Sequence, residues 1–240
     1  MRSMSKVLLI VVAQVLAGMG GGRVAAQGHS SEATPERPAW VVGDVPDTVW
    51  ILMEAAVATE DEAEMKAMLL EAELHARRAA VDDECSVGRR FALAAVLGMR
   101  ADREGGLTKI RAASRLHDEL KHLLELDPEH AEARYMMGRL HAGVRRMGRV
   151  TRWLATNLLG GGALKEASWE EAERNLAFAE REAPRVPDHH LQLARLYVDT
   201  DRPGLASIEV EHVLGLPATS PMEREASREA LELQAELENR

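Results

Sequence analysis

The sequence predicts an all-α protein, a solenoid of helical hairpins with one extended helix and one insertion. Three observations point there. From Asp47 onward the chain is rich in Ala, Leu, Glu and Arg, residues that lose little on entering a helix. Apolar residues recur at three- and four-residue spacing, as in Met65, Met68, Leu69, Ala72 and Ala76, which is the period of a helix face and not of a strand. Small residues fall where paired helices would cross, with large ones around them.

Residues 1–26 read as a secretory signal peptide. Arg2 and Lys6 precede the apolar run Val7 to Ala17, and small residues then lead to Val24-Ala25-Ala26, the order of charged, apolar and cleavage regions. The run is shorter than the roughly 20 residues of a membrane span. Cleavage near Ala26 places the mature protein in the periplasm or outside the cell, with no transmembrane segment after the leader. The leader holds three basic residues, Arg2, Lys6 and Arg23, and no acidic one, so its removal takes the formal charge from −9 to −12. That balance is poorly suited to binding nucleic acid. Residues 27–46 carry Gly28, Ser30, Ser31, Pro35, Pro38 and Gly43 and read as a flexible linker. Residues 47–240 form the helical-repeat domain.

Within it the expected helices are 47–58, 60–81, 86–101, 107–126, 131–159, 169–183, 188–200, 203–215 and 221–238. Ser168 with Glu171 forms a capping-box pair that satisfies amides at a helix start. Asp127-Pro128 and Ala183-Pro184 end the helices before them, because the residue before proline is pushed out of helical geometry. Gly160-Gly161-Gly162 marks a strong break. The charged last helix, with Glu223, Arg224, Glu225, Arg228, Glu229 and Glu232, suits a solenoid cap.

Residues 187–217 follow the tetratricopeptide pattern, a helical hairpin with a period of about 34 residues. Leu193 and Ala194 take the large and small positions of the first helix and Tyr197 the next large one. Ala206 takes the small position of the second helix, followed by Val210, Val213 and Pro217. A stretched copy lies upstream, with Met137, Gly138 and His141 in one helix and Ala172, Leu176, Ala179 and Pro184 in the other. Ala194 to Ala206 spans 12 residues and Gly138 to Ala172 spans 34, so the upstream copy carries 22 more. The expected helix 131–159 would take up much of the insertion and reach about 43 Å at about 1.5 Å per residue. Arg145, Arg149 and Arg152 would share one of its faces, with Arg139 and Arg146 nearby and Val150, Trp153, Leu154 and Leu158 beside them. Two readings of this cluster are open: a contact surface for an acidic partner segment or an anionic ligand, or arginines paired with the protein's own carboxylates.

Catalytic patterns are missing. No nucleophile elbow, phosphate-binding loop or zincin motif occurs. Of the nine histidines, His117 and His122 diverge by about 140° on a helix, His130 and His141 lie three turns apart, and His189 and His190 point in different directions. No metal or cofactor residue is nominated. Cys85, the single cysteine, reads as a buried small apolar residue, or else as a reactive or intermolecularly bonded thiol.

Several segments together resemble the regulator of microtubule dynamics family of tetratricopeptide proteins. They are Gly138-Arg139-Leu140-His141, Asn157 to Gly162, Ala167-Ser168-Trp169-Glu170-Glu171-Ala172 and His190 to Tyr197, with Cys85-Ser86-Val87-Gly88-Arg89-Arg90 at a helix start. The likeness runs over residues 85–217, and bacterial members of that family pair a signal peptide with the stretched repeat. It implies a helical binding platform without catalytic residues, and lipid binding is part of the eukaryotic members' picture. The expectation is an exported binding or scaffold protein that holds another exported protein, the alternative being a carrier of lipid or amphiphile. Gly138, Ala172, Leu193, Ala194, Tyr197 and Ala206 would be the repeat-packing residues. Arg139, Arg145, Arg146, Arg149, Arg152 and Trp153 would be the contact residues.

Overall fold

Caps and prolines set the helix ends. The computed structural model describes residues 44–148, 166–219 and 221–239. Among them are nine α-helices and no strand: α1 (Asp47–Ala58), α2 (Glu62–Asp82), α3 (Val87–Arg103), α4 (Gly106–Leu126), α5 (Ala131–Arg146), α6 (Trp169–Glu182), α7 (Pro187–Asp199), α8 (Pro203–Gly215) and α9 (Pro221–Glu238). The Asp61 carboxylate accepts from the amides of Ala63 and Glu64 at 2.8 and 3.2 Å, and Ser86 Oγ accepts from the Arg89 amide at 3.2 Å. Ser168 Oγ accepts from the Glu171 amide at 3.0 Å, half of the expected capping box; the Glu171 carboxylate turns to Arg174 and Asn175 instead. Pro187 and Pro203 open α7 and α8, where a missing N–H costs nothing. α7 ends with the Arg202 amide on the Tyr197 carbonyl at 2.8 Å and the Asp201 amide on the Val198 carbonyl at 3.2 Å. This Schellman closure puts Asp201 at φ 57°.

The helices pair as α1–α2, α3–α4, α5–α6 and α7–α8, with α9 against the last pair. Each second helix also packs on the first helix of the following hairpin. Successive first helices α1, α3, α5 and α7 touch along the array, whereas successive second helices scarcely meet. Closer spacing on the first-helix side makes that the inner side of the solenoid.

α5 crosses α6 closely. A Cβ at Gly138 would lie 2.7 Å from Leu176 Cγ and 3.0 Å from both the Ala172 carbonyl oxygen and the Leu176 amide nitrogen. Two of those three atoms are backbone, so the helices could admit a methyl group only by moving apart. At the α7–α8 crossing Ala194 and Ala206 are fully buried, as is Ala172 at the first. Leu193 is buried, and Tyr197 is half-buried with the Arg202 guanidinium 4.7 Å over its ring.

Around these crossings one apolar core runs from Val45 through Trp50, Leu69, Leu97 and Leu123 to Leu193 and Leu196. A second core joins Leu191 and Ala194 to Val210, Val213, Ala226 and Ala230, so α9 covers the end of the array. α7 contributes to both. The folded part reaches back to Val45 and to Asp44, whose carboxylate takes Arg89 at 2.5 Å. No helix among the described residues is long and apolar enough to cross a membrane.

Two expectations need correction. The helix expected over 131–159 stops at Arg146, because Met147 turns to extended backbone at φ −61°, ψ 137°. The 16 residues of α5 reach only about 24 Å. Cys85 is exposed, not buried, in the polar turn Asp83-Glu84-Cys85 between α2 and α3, with its amide on the Asp83 carboxylate at 3.1 Å. The signal peptide, most of the 27–46 linker, Arg149, Val150, Arg152, Trp153, Leu154, Leu158 and Gly160 to Gly162 lie outside the described residues.

Gly138→Ala should lower stability by about 1–3 kcal/mol through overpacking. Gly143→Ala, on the same helix with nothing among the described residues within 4 Å of the place its methyl group would take, should raise it by about 0.5–1 kcal/mol through helix propensity. Urea denaturation of the two variants checks this, and equal effects would contradict the close-crossing account.

Candidate functional site

The inner side of the array carries a polar seam where α5 meets α7. On α5, Tyr135, Arg139, Gly143 and Arg146 recur at helical spacing; on α7, Asp188, Gln192, Arg195 and Asp199 do the same. The Tyr135 hydroxyl donates to the Asp188 carboxylate in a short buried bond, and Gln192 Nε2 donates to the other Asp188 oxygen at 3.1 Å. At the far end Arg146 Nε donates to Asp199 at 2.6 Å. Arg139 lies between, its guanidinium 5.6 Å from the centre of the Tyr135 ring. Burial opposes the charge of Arg139, but the neighbouring Tyr135 and the carboxylates of Asp188 and Asp102 raise its pKa. Burial, reinforced by Asp188, pushes the Tyr135 hydroxyl well above the usual phenol range, so it is a donor at all ordinary pH. The ring of His189 rests 4.7 Å from that of Tyr135, and burial lowers its pKa. Arg195 continues the seam onto α9, where it donates to the buried carboxylate of Glu229.

Three of the expected contact arginines can be placed. Arg139 and Arg146 belong to the seam. Arg145 lies across the indole of Trp169 at 6.0 Å. Arg149, Arg152 and Trp153 fall outside the described residues. Elsewhere Glu73, buried on α2, accepts from Arg77 at 2.5 Å, from Arg115 at 3.3 Å and from Arg100 in a short contact. A cavity of about 190 Å³ opens beside it, lined by Thr108, Arg111 and the same Arg100 and Arg115.

The chain matches the family model described as regulator of microtubule dynamics protein 1-3 over residues 46–238. The chain belongs to this family. The match is wider than the segments that carry the likeness in the sequence, and it takes in α1, α2 and α9. No curated protein matches the chain. Among solved structures it is similar to a thermophilic TPR protein of Thermus thermophilus, with 16% identity over 78% of this chain and 90% of that one and a TM-score of 0.47.

In this member of the regulator of microtubule dynamics family, histidines gather in two places that spacing along single helices does not show. His117 of α4 and His141 of α5 stack at 5.8 Å between centroids, with His117 Nε2 3.5 Å from Glu166. Neither ring nitrogen of buried His141 has a hydrogen-bond partner among the described residues. Burial and the neighbouring His117 lower the His141 pKa to about 4, against a smaller opposing pull from Glu166. On the outer pair, His190 of α7 meets Glu209 and His212 of α8; donor atoms from the three lie within 4.8 Å of one another. The i, i+3 pair Glu209 and His212 is visible in the sequence, but its convergence with His190 needs the hairpin to be closed.

Because His141 holds no proton in the folded state until about pH 4, whereas an unfolded histidine takes one near 6.5, the unfolded chain binds more protons between those values. Stability should therefore fall as pH drops from about 6.5 toward 4, by at most about 3 kcal/mol from this residue and less where water reaches the site. Urea midpoints of wild type and His141→Phe across that range check it; parallel profiles would contradict it. Tyr135→Phe, which removes a donor from fully buried Asp188, should cost about 1–3 kcal/mol at neutral pH, readable in the same experiment.

Proposed function

We propose that this protein is an exported, non-catalytic scaffold whose inner, first-helix side holds a segment of another exported protein. In general terms a helical-repeat array of this family is an interaction scaffold, and such arrays are generally non-catalytic. The partner and the compartment are the finer steps. Export is supported by the charged, apolar and small-residue order of residues 1–26. The observation that carries the binding face is the polar seam of α5 and α7. Well-packed apolar residues would serve stability there as well or better, so the buried bonds of Tyr135, Asp188 and Gln192 instead fix how α5 meets α7, and the partly exposed Arg146, Asp199 and Arg195 carry the seam to the surface of the inner side. Extended or helical segments laid along a solenoid are read by partly exposed polar groups of that kind. Gly143 lies on the α5 stripe, and among the described residues nothing comes within 4 Å of where its Cβ would stand.

The alternative occupant, an anionic lipid or other amphiphile, would rely on arginines to hold a head group. Arg146 is paired with Asp199 and Arg195 with Glu229, so the inner side offers both signs of charge, which suits a peptide segment more than an anionic head group. A photo-crosslinking amino acid placed at Gly143 or Arg195 in the exporting cell should capture one and the same exported protein, and one placed at exposed Leu74 on α2 should not. Capture of phospholipid alone at the seam positions would favour the carrier. Capture only from Leu74 would overturn the inner-side assignment.

A further inference from the structure

Both ring nitrogens of His190 have close partners. Its Nε2 lies 2.9 Å from the Pro184 carbonyl oxygen, an atom that can only accept, so Nε2 carries a hydrogen. In the neutral ring Nδ1 then presents a lone pair, and it faces Glu209 Oε2 at 2.7 Å. Two lone pairs at that distance repel unless something positive sits between them. A proton satisfies that one contact. It leaves unexplained the third group, His212, whose Nδ1 points at the same Glu209 oxygen from 3.6 Å, with its ring edge-on to His190 at 5.1 Å.

We propose that His190, Glu209 and His212 form a binding site for a divalent transition-metal cation, with zinc the first expectation. The donor set is two imidazole nitrogens and one carboxylate oxygen, which suits Zn²⁺, Co²⁺, Ni²⁺ or Cu²⁺ and not Mg²⁺ or Ca²⁺. The surroundings are those of a supported ligand: the ring nitrogen of His190 away from the site is held by a backbone carbonyl, which fixes the tautomer and leaves Nδ1 for the metal. Glu180 adds negative charge 3.9 Å from the same Nε2. Depth is graded, since the His190 side chain is 5% exposed, Glu209 15% and His212 55%. The cation would thus sit at the protein surface with three protein ligands and at least one position open to water or to a donor from a partner. One ligand comes from the first turn of α7 and two from successive turns of α8, so binding ties the two helices of the last hairpin together.

The test uses the full chain without a histidine tag, stripped with chelator and titrated with Zn²⁺ alone by calorimetry and with Co²⁺ alone by visible absorption. One saturable site per chain is expected, with the intense visible bands of a low-coordinate cobalt centre and a rise of a few degrees in Tm at saturating zinc. His212→Ala should weaken binding roughly tenfold or more while leaving the metal-free protein folded, because that side chain is more than half exposed. Glu209→Gln should do the same. His122→Ala, removing an exposed histidine on α4, should leave the affinity unchanged. Absence of a saturable site, or one that survives His212→Ala, would overturn the assignment, as would loss of binding in His122→Ala. If Glu209→Gln proves unstable, His212→Ala alone decides.

Discussion

The structure depends on how closely two helices can approach. At Gly138 the α5 backbone meets the backbone and side chain of α6 with no room for a methyl group. Ala194 and Ala206 serve the α7–α8 crossing with the smallest side chains that still favour a helix. Once each pair closes there, larger residues such as Leu176, Leu193 and Leu196 are carried into the core, and each second helix is presented to the next hairpin. The 22-residue insertion leaves that crossing intact, since Gly138 still meets Ala172 and Leu176 across it. Crossing geometry, more than loop length, defines the repeat.

Charge acts at a second level. A chain with nine more acidic than basic residues still arranges its arginines so that many bridge elements far apart in sequence. Arg90 reaches Glu119, Arg146 reaches Asp199, Arg202 takes Glu173 with two nitrogens at 2.9 and 2.8 Å, and Arg195 reaches Glu229. The exposed pairs add little to stability. The buried ones cost desolvation, and burial indeed raises the Glu229 pKa even with Arg195 alongside. Their effect is to fix which hairpin face meets which. Glu73, bound by three arginines from three helices, locks α2, α3 and α4 in one register.

Much of the fold was legible in the sequence, because proline, caps and small residues act locally. α1, α8 and α9 begin and end where the apolar period and flanking residues place them, and Asp127 and Ala183 end α4 and α6 before proline. The error at α5 has a local cause as well. The spacing of Arg145, Arg149 and Arg152 is that of a helix face, but Met147 turns to extended backbone, and Gly148 after it is a poor helix former. Cys85 stands among Asp82, Asp83 and Glu84, and that polar turn predicts exposure better than the usual burial of cysteine does. The seam and the histidine groups were not legible. Tyr135 and Asp188 are 53 residues apart, and His190 and Glu209 19, so only the folded array shows that they meet.

These long-range groups converge on one helix. α7 packs in both apolar cores, lends Asp188, Gln192, Arg195 and Asp199 to the seam, and presents His190 to α8 on another side. Asp188, His189 and His190 are consecutive, and they make three different contacts: with the Tyr135 hydroxyl through a hydrogen bond, with the Tyr135 ring through packing of the two rings, and with Glu209 across the hairpin. A shift of α7 by even a fraction of a turn would break all three at once, because buried polar groups have no water to replace a lost partner. The helix is therefore held in one position from both sides. A cation clamping His190 to α8 would reinforce the same position that the seam requires, so binding at the outer corner and order along the inner side favour a single arrangement of the last two hairpins.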